Sequence, residues 1–214
     1  MKYEAVIFDL DGTILDTIED LCDSVNFALS KYDLPSISLS QAKSYIGSGV
    51  GMLVKRSIGF EHPEFDNILK SFKERYAKIL DNKTKPFDGV YDIFKYCKVS
   101  GIKMAIVSNK IQSALDKLCD KFFSEYVDIV IGECDNLRRK PYPDSILKAC
   151  ELLKVDSKHI LYVGDSEVDI KTVENVGCDG AYVSYGFRSK ETLLENGGEK
   201  IFDSPYELLN WLRG

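Results

Sequence analysis

Residues 1–17 read MKYEAVIFDLDGTILDT. An unbroken apolar run, Ala5–Phe8, ends in Asp9-Leu10-Asp11-Gly12-Thr13. A short continuous apolar run of this kind suits a strand covered on both faces. Side chains alternate along a strand with period two, so a strand carried on through Asp11 puts Asp9 and Asp11 on the same side. Two like charges held that close raise each other's pKa unless a cation stands between them. A strand end carrying such a pair suits a metal or a reactive carboxylate.

Working outward, four more apolar runs read as buried strands: Met104–Val107, Val127–Ile131, Ile160–Val163 and Ala181–Ser184, with Ile201-Phe202 as a further edge strand. Helical spacing fills the intervals over Val90–Val99, Ile111–Phe122, Ser145–Leu153 and Val168–Val176. This alternation predicts an α/β protein with a parallel sheet covered on both faces. Ser204-Pro205-Tyr206-Glu207 opens a last helix, with a serine N-cap, proline at the first helical position and glutamate three residues after the cap.

One interval breaks the rhythm. From Asp16 to Asn82 there are helical patterns and no convincing strand. Ile18, Leu21, Cys22, Val25 and Leu29 recur at helical spacing, Thr17 and Asp20 form a capping pair, and Tyr45–Ile58 and Ile68–Leu80 also read as helices. A βα connection takes a few residues, so about 65 residues here is an insertion. The domain reading is a discontinuous core of residues 1–15 and 83–214, with residues 16–82 a helical subdomain over the carboxyl edge of the sheet, where ligands bind in open α/β folds.

Polar residues follow the other strands too. Ser108-Asn109-Lys110 comes after Met104–Val107 and before a helix, as an anion site or as a plain N-cap. Lys140 lies in Arg138-Arg139-Lys140-Pro141-Tyr142-Pro143-Asp144, where two prolines bracket a rigid turn. Asp165 and Asp169 sit four apart in Gly164-Asp165-Ser166-Glu167-Val168-Asp169, where acids also serve as helix-start charges. Each has a bland explanation alone, but four in sheet order converge. Hard oxygen ligands without histidine suit Mg2+ rather than zinc.

Composition narrows the function classes. The chain has 214 residues, 44% hydrophobic and 29% charged, with net charge −6. A pI near 5.1 argues against nucleic acid as a partner, since backbone binding needs a basic face. No apolar run approaches the roughly 18 residues of a membrane span, and no signal peptide is read at the start. Six scattered cysteines form no C-x-x-C pair and read as reduced thiols, so the expected location is cytoplasmic. Only His62 and His159 are present, which weighs against a histidine zinc site or a Ser-His-Asp triad.

The ordered set D-x-D-G-T, S-N-K, K-P and G-D-x-x-x-D resembles the haloacid dehalogenase superfamily of phosphotransferases across essentially the whole chain. The insertion after the first motif resembles the C1 cap subgroup. Tyr45-Ile46-Gly47-Ser48-Gly49 and Val183-Ser184-Tyr185-Gly186-Phe187-Arg188 resemble its phosphoglycolate phosphatase-like branch. The resemblance implies a Rossmann-like three-layer core with a parallel sheet and a helical cap. It implies Asp9 as nucleophile and Asp11 as general acid, then general base. It implies Mg2+ held by the Asp9 carboxylate, the Asp11 backbone carbonyl and Asp165, with Asp169 supporting or completing the shell. Ser108 and the Asn109 amide would hold phosphate oxygens, and Lys140 would bridge the phosphate and Asp9.

In the insertion, Gly47-Ser48-Gly49-Val50-Gly51 fails G-x-G-x-x-G because Met52 stands where the third glycine belongs, so it reads as a helix-breaking turn. The resemblance makes Gly47 part of the substrate-facing turn, and Lys55 and Arg56 can meet a substrate carboxylate or stay solvated. The expected activity is Mg2+-dependent hydrolysis of a small phosphorylated metabolite, with 2-phosphoglycolate the leading substrate. Pyrophosphate and sugar phosphates are close rivals, and a β-phosphoglucomutase-like phosphosugar mutase shares the motifs. A phospho-aspartate receiver is disfavoured by the insertion and by Gly132-Glu133-Cys134-Asp135 after the third strand. Nothing in the pattern selects between a monomer and a small homo-oligomer.

Overall fold

β1 (Ala5–Phe8) is wholly buried and takes the centre of the sheet. In the computed structural model, which describes residues 2–214, the chain forms two compact units, Met1–Leu15 with Pro86–Gly214, and Asp16–Lys85. The two crossings, β2 (Leu15–Asp16) and β3 (Lys85–Pro86), pair as a two-stranded sheet.

The Asp16–Lys85 unit holds α1 (Ile18–Ser30), α2 (Leu39–Tyr45), α3 (Val50–Ile58) and α4 (Phe65–Ile79). Leu21, Val25, Leu29, Leu53, Val54, Ile68 and Phe72 are buried in it. The helix expected over Tyr45–Ile58 is two elements. α2 stops at Tyr45, and Gly47 (φ 115°) and Gly49 (φ 85°) take a backbone region that residues with a Cβ avoid before α3 begins. α2 itself escaped the periodicity reading because only Ala42 is buried on it. Its visible signal was a capping box between Ser38 and Gln41, with bonds of 3.2 and 2.8 Å.

Thr17 does not cap α1 with its side chain. Asp20 instead turns inward and accepts from the amides of Lys83 (3.0 Å) and Thr84 (2.9 Å) and from the Thr84 hydroxyl (2.9 Å). These bonds hold the returning chain to α1 as far as Thr84, so the unit extends past residue 82.

The other unit continues as α5 (Val90–Val99), β4 (Lys103–Ile111), α6 (Gln112–Phe122), β5 (Ile129–Glu133), α7 (Asp144–Leu153), β6 (Ile160–Gly164), α8 (Glu167–Val176), β7 (Asp179–Val183), α9 (Lys190–Glu195), β8 (Ile201–Phe202) and α10 (Pro205–Arg213). The six-stranded order is β5-β4-β1-β6-β7-β8, with parallel pairing throughout. It is a Rossmann-like α/β fold. From β1 the chain builds to one edge through β4 and β5, then returns to the other side through β6, so β1 borders the switch point where such sheets bind ligands.

Period two now sorts the faces. Ala5 and Ile7 pack with Ile146, Ala149, Ile170 and Val173 of α7 and α8, while the Phe8 ring meets Phe94 of α5 at 5.1 Å. Asp9 follows Ile7 by two and so inherits the α7/α8 side. β4 is longer than expected and shifts register between Val107 and Ile111. Ser108-Asn109-Lys110 is therefore extended chain, and α6 starts only at Gln112.

Candidate active site

β1 ends at Phe8, and Asp9 prolongs it by one hydrogen bond, its backbone N–H donating to the Val163 carbonyl (2.8 Å). The chain then turns: Thr13 and Ile14 amides both bond to the Leu10 carbonyl, and Gly12 takes φ 83°. A strand running on through Asp11, as the sequence suggested, is not what forms. The two acids instead acquire separate cations. Lys140 Nζ lies 2.9 Å from Asp9 Oδ1, and Lys110 Nζ lies 2.8 and 3.0 Å from the two oxygens of Asp11.

Lys140 is 5% exposed. Of the basic triplet only this residue turns inward; Arg138 pairs with Asp144 (2.8 Å) and Arg139 with Glu133 near the surface. Its peptide to Pro141 is cis. Asn109 braces it: the Asn109 side chain donates to the Lys140 carbonyl (3.0 Å) and accepts from the Lys140 amide (2.8 Å). The Asn109 side chain is thus engaged in positioning the lysine. Ser108 is buried beside it, its Oγ accepting from the Lys110 amide at 3.4 Å.

The Lys140 ammonium also donates to Asp169 Oδ1 (2.8 Å) and to the Tyr162 hydroxyl (2.7 Å). Asp169 lies in the first turn of α8 and closes a capping box with Ser166, accepting from its amide (3.1 Å) and hydroxyl (2.6 Å). A Cβ on Gly164 would come within 2.4 Å of Asp169, so only glycine lets α8 sit this close to the end of β6. Asp165 accepts from the Phe187 amide (2.7 Å). Gly186 passes tightly here, since a Cβ on it would stand 2.1 Å from the Gly12 carbonyl. Arg188 is nearly buried against Glu167 (2.7 Å) and the Tyr185 hydroxyl donates to the Thr13 carbonyl (2.9 Å), so the segment Tyr185–Arg188 fastens both acid loops.

Asp9, Asp165 and Asp169 are all buried and offer carboxylate oxygens within 4.8 Å of one another. Burial, only partly offset by Lys140, pushes the Asp9 carboxyl up to about 6, with Asp169 and Asp11 adding to the rise. Burial and then the charges of Asp169 and Asp9 drive Asp165 well above the carboxylate range. Asp169 goes the other way: burial would raise it, but the attraction of Lys140 wins. Lys140 is held above its ordinary value because Asp169 and Asp9 outweigh its burial.

One buried ammonium thus faces three buried carboxyl groups, which carry two negative charges in excess when all are ionised, and the raised Asp9 and Asp165 carboxyls report that crowding. All-oxygen donors and that imbalance fit a hard divalent cation such as Mg2+.

A profile of haloacid dehalogenase-like hydrolases matches residues 6–183, a span from β1 to the end of β7. The chain belongs to this family. Among curated relatives, it is 31% identical over 216 residues to a protein of Caldanaerobacter subterraneus subsp. tengcongensis provisionally named pyrophosphatase PpaX, covering 100% of this chain and 96% of that one. It is 31% identical over 202 residues to a phosphoglycolate phosphatase of Thiobacillus denitrificans, covering 91% and 89%. Among solved structures, one from Lactobacillus delbrueckii subsp. bulgaricus, provisionally named phosphoglycolate phosphatase, superposes with a TM-score of 0.95 at 34% identity over 99% of both chains. Within the haloacid dehalogenase-like hydrolases the chain is similar to the phosphoglycolate phosphatase branch.

The fold gathers Asp9 and Asp11 after β1, Ser108 and Asn109 in the last part of β4, Lys140 in the loop between β5 and α7, and Asp165 and Asp169 after β6. Sequence reading missed two residues. Lys110 stands in the sequence only as the end of S-N-K, and Tyr162 only as one position of the apolar run Ile160–Val163. Gly47, Lys55 and Arg56 lie in the other unit. There Lys55 stacks over the Phe65 ring at 5.0 Å and Arg56 donates to the Tyr45 carbonyl at 2.8 Å. Among the described residues no helix is long and apolar enough to cross a membrane, and all six cysteines are free.

Proposed function

We propose that this protein is a Mg2+-dependent phosphatase of a small phosphomonoester, acting through an aspartyl-phosphate, with 2-phosphoglycolate the leading substrate. The observation that carries the reading is the buried Asp9 carboxylate at the end of the central strand, with one ammonium at 2.9 Å and two further carboxylates beside it.

Asp9 Oδ attacks phosphorus, and the bond from phosphorus to the ester oxygen breaks. Asp11 delivers a proton to the leaving alcohol. Asp11 then takes a proton from water, whose oxygen attacks the aspartyl-phosphate; the bond to Asp9 breaks and inorganic phosphate leaves. Lys140 offsets the repulsion between the attacking carboxylate and the phosphate dianion. Ser108 and the Asn109 amide receive phosphate oxygens. Asp9 and Asp165, with the Asp11 carbonyl, hold Mg2+, and Asp169 supports the set. Bound Mg2+ supplies Lewis-acid neutralisation of phosphoryl charge. Residues 16–85 act as the cap, and Gly47, Lys55 and Arg56 are assigned to substrate selection on the resemblance alone.

Pyrophosphate is the second reading, favoured by the relative that matches this chain along its whole length. A phosphate-release screen over 2-phosphoglycolate, pyrophosphate, glucose phosphates and nucleoside monophosphates decides between them. The highest kcat/KM is expected on 2-phosphoglycolate, and turnover is expected to stop with EDTA and return with Mg2+. Turnover that survives EDTA would remove the metal from the mechanism, and a preference for pyrophosphate would replace the substrate.

A further inference from the structure

Tyr162 is fully buried in the middle of β6, paired in register with Ile7 of β1 and on the same packed face. Phenylalanine would fill that space without a polar group to satisfy, and a buried hydroxyl is costly unless bonded. Here the hydroxyl is bonded twice: it donates to Asp169 Oδ1 and accepts from Lys140 Nζ, both at 2.7 Å.

An ammonium has three N–H donors. Three oxygens surround Lys140 Nζ: Tyr162 Oη at 2.7 Å, Asp169 Oδ1 at 2.8 Å and Asp9 Oδ1 at 2.9 Å. Two of these anchors are rigid, because Asp169 is itself locked. Its Oδ1 accepts from Lys140 and Tyr162 and its Oδ2 from the Ser166 amide and hydroxyl, which fills the roughly four acceptor positions of a carboxylate. The contact with Asp9 differs: it is the longest of the three, an ion pair to a carboxylate that no further hydrogen bond locks at that oxygen. The ammonium is therefore placed by Tyr162 and Asp169 and presented to Asp9.

We propose that Tyr162 is a positioning residue, whose hydroxyl, fixed by Asp169, holds the Lys140 ammonium against the Asp9 carboxylate. The role rests on the phosphatase reading above, in which Lys140 offsets charge at the reacting phosphate. Without the hydroxyl one N–H loses its partner, and the flexible lysine stem swings onto Asp169.

The test is a cycle of Tyr162→Phe, Lys140→Met and the double variant, assayed on the preferred phosphomonoester. Tyr162→Phe is expected to lower kcat by about 10- to 100-fold, as loss of a supporting hydrogen bond does. KM should move little, and Mn2+ affinity measured by electron paramagnetic resonance should stay unchanged. The double variant should be no slower than Lys140→Met alone, because the hydroxyl acts only through the lysine.

A second readout does not depend on turnover. The 1H–15N resonance of the Lys140 ammonium should shift, and its protons should exchange faster, in Tyr162→Phe. If that variant does not fold, Ser166→Ala loosens Asp169 and should show the same lack of further loss with Lys140→Met. Wild-type kcat in Tyr162→Phe, losses that multiply in the double variant, weakened Mn2+ binding, or an unmoved resonance each overturn the proposal. A wild-type protein that releases no phosphate from any substrate defeats the functional reading instead, and the resonance still decides the placement of Lys140.

Discussion

Asp9 and Asp11 are two residues apart, and each meets a lysine, but the two pairs are built differently. Lys140 touches Asp9 at one oxygen and is anchored elsewhere, on Asp169, Tyr162 and the side chain of Asn109. Lys110 meets both oxygens of Asp11. The first arrangement fixes the cation and leaves the carboxylate open for reaction. The second fixes the carboxylate itself, which must leave Lys110 to carry a proton. A nucleophile needs a standing counter-charge; an acid–base residue needs one that it can exchange.

The comparison can be broken in order of effect. Asp9→Asn removes the attacking oxygen and is expected to lower phosphate release by roughly 10^4-fold or more in a folded protein. Near-wild-type release from an aryl phosphate would end the assignment. Lys140→Met should cost about 10^2- to 10^3-fold in kcat, the scale of losing one charge-stabilising donor. A loss confined to KM would show that the lysine only binds. Lys110→Met is expected to cost less, about 10-fold, because it alters the resting place of Asp11 and not the group itself. If it equals Lys140→Met, the two pairs are not different in kind.

The smallest effect is on stability. Burial raises the Asp9 carboxyl above its unfolded value, so its charged form disfavours the fold at neutral pH. In Mg2+-free buffer Asp9→Asn should therefore raise the denaturation midpoint while it abolishes activity. A lowered midpoint would mean that the Lys140 contact outweighs burial.

Much of this could be read along the chain. The strands needed only apolar runs, and the last helix announced itself through the Ser204 cap, which accepts from the Glu207 amide at 3.3 Å. What failed was local too. Ser108-Asn109-Lys110 reads locally as a helix start, yet the chain stays extended through the register shift against β5. Asp20 looked like a cap and became the latch for Thr84, since no local pattern reports a partner 64 residues away.

The sequence by itself determined the parallel α/β sheet, the inserted helices and the order of acids and lysines, because alternation and spacing are properties of neighbours. Only the tertiary structure decided which lysine serves which aspartate and that the Tyr162 ring carries a working hydroxyl. Those contacts join residues 99, 131 and 22 positions apart along the chain. They exist only once β4 and β6 flank β1 and α8 packs down over Gly164.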